Sequence, residues 1–490
     1  MGRADRASIM DAALNAEIAA IAEAEIESGY ETGLQIVVYH RGRLLVEVCA
    51  GCASVGQPVT PETRFMTYSV TKGVASTVLA MEISAGRCQY SDQISQFWPG
   101  FSVHGKQQIT IEEALSHRSG LRASSLMPLK LIWLVLCRNA ITAGGGVCMR
   151  MGIEWLAQCV PTWRQPHARY HPTSWSWIAG GIYQHLRGEH IREGAKELTR
   201  RLRLSGNEIQ IGEVDKARAS IAPLRFPSRL TLPPLPTPSS DGLPLLLLPV
   251  LIFSALRWLA RWMARWMLLA PAAYFEATVG VSIGNWSRFL ALCLPSSNGI
   301  FTARALGAMY GALANGGALA DGRTLISAEL TEELRRRAAD SSLDSPGLPS
   351  SGRLTCGFSP WLSEQIEAHR HARVAAAAAG DAQDDRPQRL VILGHPGMGG
   401  CCAYADLSNG ISLAVLKSTF SPETINGTGA GRVCLLVDDA VCRWLARGGH
   451  KVPHSGWAPP TVSLAHRRKR STSPPRRKAQ PYNDVSQFMA

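Results

Sequence analysis

Ser69 and Lys72 lie three positions apart in FMTYSVTKGVAS, residues 65–76, among small and apolar neighbours. Positions i and i+3 share a helix face, so the two side chains meet if the chain is helical from Ser69 onward. A serine hydroxyl ionises far above pH 7 on its own. A nearby lysine can hold the alkoxide with its charge or, once desolvated, take the proton. The ordinary alternative is a solvated helix lysine, since SxxK spacings also arise by chance. A serine hydrolase further needs a group to serve the leaving atom and donors for a developing oxyanion. ARYHPTSWSWIAGG supplies Tyr170 just ahead of a helix-like segment. LGHPGMGG supplies His395 and Gly397 beside a strand, where glycines let a substrate approach the backbone closely.

The elements that must position these residues can be read in chain order. LQIVVYHRGRLLVEVCAG, 34–51, is two β-rich runs around Arg41 and Gly42, a hairpin signal. Helical patterns follow the SxxK segment, with ITIEEALSHRSGL, 109–121, reading as a helix that ends in a Ser-Gly stop. RLVILGHPGMGGCCAYAD and ISLAVLKS read as strands paired around a turn, and GRVCLLVDDAVCRWLAR, 431–447, as a closing helix. Strands at both ends with helices between predict an α+β fold: an antiparallel sheet built from the N- and C-terminal strands, packed by helices and carrying a large helical subdomain. A single domain over 1–447 is expected, with insertions at 225–285, a helical lid, and at 366–388, an Ala-rich loop. A Pro/Ser spacer occupies 232–242. Residues 448–490 are polar, basic and Pro-rich, and read as a disordered tail.

Composition narrows the function classes. The chain has 490 residues, 46% of them hydrophobic, enough to bury a large core. Of the formal charge of +13, the stretch 448–490 carries +7 and 225–270 carries +4, so the body is nearly neutral and no specific nucleic-acid partner is expected. The basic tail is read as a solvated charge run, which leaves nuclear import open. The first residues lack an apolar run long enough for a secretory signal, and twelve cysteines then imply a reducing, cytoplasmic setting. Cys49 with Cys52, and Cys401 with Cys402, are expected to be core thiols rather than metal ligands. In 243–270 the uncharged part, Leu243 to Leu256, is too short to span a bilayer. Arg257, Arg261 and Arg265 beside Trp258, Trp262 and Trp266 give it a basic and an aromatic stripe. Such a helix suits either a lid packed on the body or peripheral contact with a membrane surface.

Together these stretches resemble the serine β-lactamase and penicillin-binding-protein superfamily, in its class-C-like, esterase branch. SVTK at 69–72 resembles the first motif. Tyr170-His171-Pro172 falls where the family has Tyr-x-Asn, and His395-Pro396-Gly397 where it has Lys-Thr-Gly or His-x-Gly. ALSHRSGL and TARALGAMYGALANGG are similar to the family's connecting text and are more specific than any one triad. The resemblance covers roughly residues 10–447. It implies that Ser69 is acylated, that Lys72 keeps it reactive, and that Tyr170 acts as general base and serves the leaving group. It also implies an oxyanion hole from the backbone N–H groups of Ser69 and Met398, with His395 facing the substrate and Gly397 beside it. No metal or cofactor is required, and the implied partner is a small-molecule ester or amide. His395 in place of a lysine cation removes an anchor for a substrate carboxylate, and Pro172 removes a side-chain amide. Both favour a carboxylesterase on uncharged acyl esters or lactones. The alternatives are an inactive scaffold of the same fold and a hydrolase of β-lactams or D-amino-acid peptides. His117, in LSHRSGL, is expected to be structural.

Overall fold

The computed structural model describes residues 10–121, 146–161, 170–212, 220–226, 280–339, 356–358, 362, 365–370, 390–421 and 431–448. The Pro/Ser spacer, the Arg/Trp stretch 243–270, most of both insertions and the tail from 449 lie outside them. The chain divides into a unit over Met1–Trp444 and another over Leu445–Ala490, in which the described residues are the end of the last helix and the turn after it.

Helices are α1 (Ala12–Glu27), α2 (Val70–Ser84), α3 (Ile111–Leu115), α4 (Gly146–Gln158), α5 (Trp175–Arg187), α6 (Ile191–Arg201), α7 (Ser287–Ala291), α8 (Ala303–Ala314), α9 (Ala328–Ala339) and α10 (Arg432–Ala446). Strands are β1 (Gly33–His40), β2 (Arg43–Ser54), β3 (Gln57–Pro58), β4 (Arg64–Met66), β5 (Ile209–Ile211), β6 (Ile221–Ala222), β7 (Gly299–Phe301), β8 (Ile392–Pro396), β9 (Cys402–Asp406) and β10 (Ile411–Lys417). The main sheet is antiparallel in the order β3-β2-β1-β10-β9-β8, so the two ends of the chain meet where β1 pairs with β10, from Leu34 opposite Lys417 to His40 opposite Ile411. This is the α+β architecture expected from the order of elements.

The hairpin turn has Arg41 at φ 49° and Gly42 at φ 74°. Positive φ at both central residues matches the twist of the flanking strands, and glycine adopts it without steric cost. Alternation along β1 then faces Val37 and Tyr39 toward α8, which Gly307 and Gly311 let approach, while His40 on the other face meets Trp444 of α10 edge-on at 5.3 Å. Helix α2 is buried on all sides from Val70 to Glu82, as a central helix must be when it carries apolar and small residues all round. Gly73 is part of that packing, because a Cβ there would lie 1.9 Å from the Tyr310 hydroxyl of α8.

Three expectations need correction. The helix read over 109–121 runs only from Ile111 to Leu115. Thr110 and Glu113 form a capping box at its start, and His117, at φ 59°, has left helical geometry. Cys401 and Cys402 are buried thiols, but Cys49 is half-buried and Cys52 exposed; on the side away from β1, only the two-residue β3 pairs with that end of β2. Residues 366–370, read as the start of a loop, are helical. A second sheet, β5-β7-β4-β6, was not foreseen; it carries the chain into the nucleophile segment.

Candidate active site

Strand β4 delivers the chain to Ser69 at the start of α2. Tyr68, just before it, is held at φ 48°, a left-handed conformation that costs a bulky residue about 1–3 kcal/mol. Its hydroxyl donates to the Gly280 carbonyl and its ring meets Phe420 edge-on at 5.9 Å, so packing on both sides holds the turn. Ser69 occupies the N-cap position but its side chain makes no capping bond, which leaves the hydroxyl to its other neighbours.

Those neighbours are Lys72 and Tyr170. Lys72 Nζ lies 3.3 Å from Ser69 Oγ, 3.2 Å from the Pro172 carbonyl and 3.0 Å from the Ser296 carbonyl. The Tyr170 hydroxyl donates to Ser69 Oγ at 2.9 Å, and its ring lies 4.8 Å from Lys72 Nζ. Lys72 is 0% exposed, and burial pushes its pKa well below the usual lysine range, with no carboxylate bonded to it among the described residues. The three contacts match the three N–H donors of an ammonium, so burial alone favours the base; once neutral, the amine keeps two donors for the carbonyls and turns a lone pair toward the serine proton. Burial pushes Tyr170 upward, against its bond to Ser69, so the phenol keeps its proton at neutral pH.

The loop after β8 closes the other side. His395 Nδ1 lies 2.7 Å from the Pro396 carbonyl, which can only accept, so Nδ1 carries the hydrogen and Nε2 is an acceptor. Nε2 is buried with no partner among the described residues, and the ring centre lies 6.1 Å from that of Tyr170. Burial, the largest cause, pushes the imidazole down to about 3, so it is neutral at pH 7. Gly397 packs against the nucleophile segment: a Cβ there would lie 2.1 Å from the Thr67 carbonyl. The backbone amides of Ser69 and Met398 donate to no acceptor among the described residues.

Sequence reasoning missed several members of this site. Pro172 supplies its carbonyl to Lys72 in place of the lost amide, a backbone contribution that residue type does not reveal. The Ser296 carbonyl is set by Ser176, whose hydroxyl accepts from the Ser296 amide at 3.1 Å. His117 was read as structural and His171 only as the middle of Tyr-His-Pro; the His171 amide donates to His117 Nδ1 at 2.9 Å and the two Nδ1 atoms lie 3.1 Å apart. His117 therefore accepts on Nδ1, and its ring sits 4.8 Å from Tyr170, fixing the backbone that presents the phenol. The recognisable ALSHRSGL text was the available signal. Among the described residues no group of three or more His, Cys, Asp or Glu could hold a metal ion.

Comparison with known proteins gives consistent matches. A family model described as Beta-lactamase matches residues 18–433. The curated protein "Esterase/beta-lactamase LipL" of Mycobacterium tuberculosis is 24% identical over 432 residues, 86% of each chain. Among solved structures, a family VIII carboxylesterase superposes with a TM-score of 0.60 at 22% identity, covering 89% of this chain and 98% of its own. A penicillin-binding-protein homologue from Caulobacter crescentus gives the same values.

Proposed function

The chain belongs to the beta-lactamase family and is a serine hydrolase, and on that premise we propose that it hydrolyses uncharged acyl esters or lactones through an acyl-enzyme on Ser69. Neutral Lys72 takes the serine proton as Oγ attacks the carbonyl carbon. The amides of Ser69 and Met398 receive the oxyanion. Tyr170, a phenol at rest, donates to the leaving oxygen and is reprotonated from Lys72. A water entering after the alcohol departs attacks the acyl carbon by the reverse proton path. This assignment gives the base role to Lys72 rather than to Tyr170, because burial raises the phenol and lowers the amine. The hydrogen-bonded contacts around Ser69 support an active site over an inactive scaffold.

The observation that carries the choice of substrate is His395. Held neutral, with Nε2 as a bare acceptor, it offers no charge to the carboxylate of a β-lactam or a peptide. The names of similar proteins include both esterase and β-lactamase activity, so the test is a direct competition. p-Nitrophenyl esters of graded acyl length, measured against a penicillin and a D-alanyl peptide, should give the highest kcat/KM; a penicillin or peptide that exceeds them overturns the ester reading. No helix among the described residues is long and apolar enough to cross a membrane. Our proposal places the protein in the cytoplasm, with any membrane contact confined to 243–270. Equal liposome flotation with and without that stretch would remove the contact.

A further inference from the structure

Lys417 is a buried cation outside the proposed chemistry. It ends β10 at 2% exposure, donates to the Glu31 carboxylate and, at 2.5 Å, to the Ser421 hydroxyl. Its position relative to the loop that carries Met398 is specific. A Cβ on Gly400 would lie 2.9 Å from Lys417 Cε, and one on Gly399 would lie 2.7 Å from the Phe420 ring, so the loop rests directly on residues 417–420. The two glycines have φ 101° and 94°, conformations that bring the backbone down onto that support. The Ser421 amide then donates to the Gly399 carbonyl at 3.0 Å, and the Cys401 thiol to the Lys417 carbonyl at 3.6 Å. On the far side, the Thr32 amide donates to Thr419 Oγ1 at 2.9 Å, which ties Glu31 to the same segment.

We propose that the Glu31–Lys417–Ser421 chain is the positioning device for the 397–400 loop, holding the Met398 amide at the height an oxyanion needs. Lys417 touches no reacting atom; it fixes Ser421, Ser421 fixes Gly399, and Met398 lies between Gly399 and the Gly397 that packs on Thr67. Because Glu31 pairs with Lys417, the cation beside the third motif is neutralised within the protein and does not recruit an anionic substrate. This rests on the reading of Met398 as an oxyanion donor.

Two variants test it with a p-nitrophenyl ester: Ser421→Ala, which leaves the ion pair intact, and the double variant Glu31→Gln/Lys417→Met, which leaves no lone buried charge. A donor that acts in the transition state changes kcat rather than KM. For the double variant, with circular dichroism unchanged, kcat should fall about 10- to 100-fold and KM stay within about threefold. Ser421→Ala should shift kcat in the same direction by a smaller factor, and it carries the test if the double variant does not fold. Folded variants with kcat within about twofold of wild type, or with KM raised at unchanged kcat, overturn the inference alone. A folded wild type that neither turns over the ester nor takes a fluorophosphonate label overturns the hydrolase reading and this inference with it.

Discussion

In our reading, Lys72 serves as a base rather than a charge because it is buried among two carbonyls and a hydroxyl, with no carboxylate bonded to it among the described residues. Lys72→Met keeps the bulk and removes that base, so acylation of Ser69 should slow by about 10²–10⁴-fold while the far-ultraviolet spectrum is unchanged. A loss smaller than tenfold in stopped-flow labelling would move the base role elsewhere. The buried histidines make a prediction about pH. His395 is pushed down from 6.5 to about 3 and His117 is pushed well below 6.5, both chiefly by burial. Above about pH 6.5 the imidazoles are neutral in folded and unfolded chains, and stability is fully retained. Below it the unfolded chain binds protons that the folded chain refuses, so stability decreases, for His395 until pH reaches about 3. Urea unfolding should show a loss approaching about 1.4 kcal/mol per pH unit for each such histidine between pH 6 and 4, and His395→Phe should remove one share of that slope. A slope unchanged in His395→Phe would contradict a neutral buried ring.

At the scale of elements, the site depends on a loop wedged between two strands. A methyl group at Gly397 cannot coexist with the Thr67 carbonyl 2.1 Å away, so Gly397→Ala must lift the loop from the nucleophile segment. Displacement of an oxyanion donor by about 1 Å can cost about 100-fold, and kcat for a p-nitrophenyl ester should fall by that order; activity within threefold of wild type would show that the loop seats otherwise. Elements of this kind were unequally legible. The β1–β2 hairpin and β8 to β10 were readable because β-rich and apolar runs bounded by glycine turns survive in a single sequence. The second sheet was not, because β4, β5, β6 and β7 have two or three residues each, too few for any period to register. The short α3 was overcalled because its capping signal is strong and its end is set by the left-handed His117, which residue type does not announce.

At the scale of the molecule, the site assembles only when distant segments close on one another. Ser69 and Lys72 come from α2, Tyr170 and Pro172 from the approach to α5, Ser296 from the turn before β7, and His395 from β8. The motifs were legible individually, since each pairs a reactive side chain with a glycine or a helix start. Partners such as Glu31 and Lys417, 386 positions apart, were not, because nothing local to either one specifies the other. A buried clasp joins three further segments: Arg370 bonds Asp438 of α10 at 2.8 and 2.7 Å and Asp406 of β9 at 3.0 Å. Arg370→Met would leave two buried carboxylates uncompensated and should cost about 3–5 kcal/mol, a large part of a typical total of about 5–15 kcal/mol. Thermal unfolding within 1 °C of wild type would mean the clasp bears no load. All the proposed site residues lie within Met1–Trp444, so a chain ending at 448 should keep the ester activity of the full protein. The central claim is the acylated serine, and peptide mass spectrometry after fluorophosphonate treatment tests it most directly. We expect one adduct, on Ser69, and none on folded Ser69→Ala; a label on any other residue, or a folded wild type that takes no label, would contradict it.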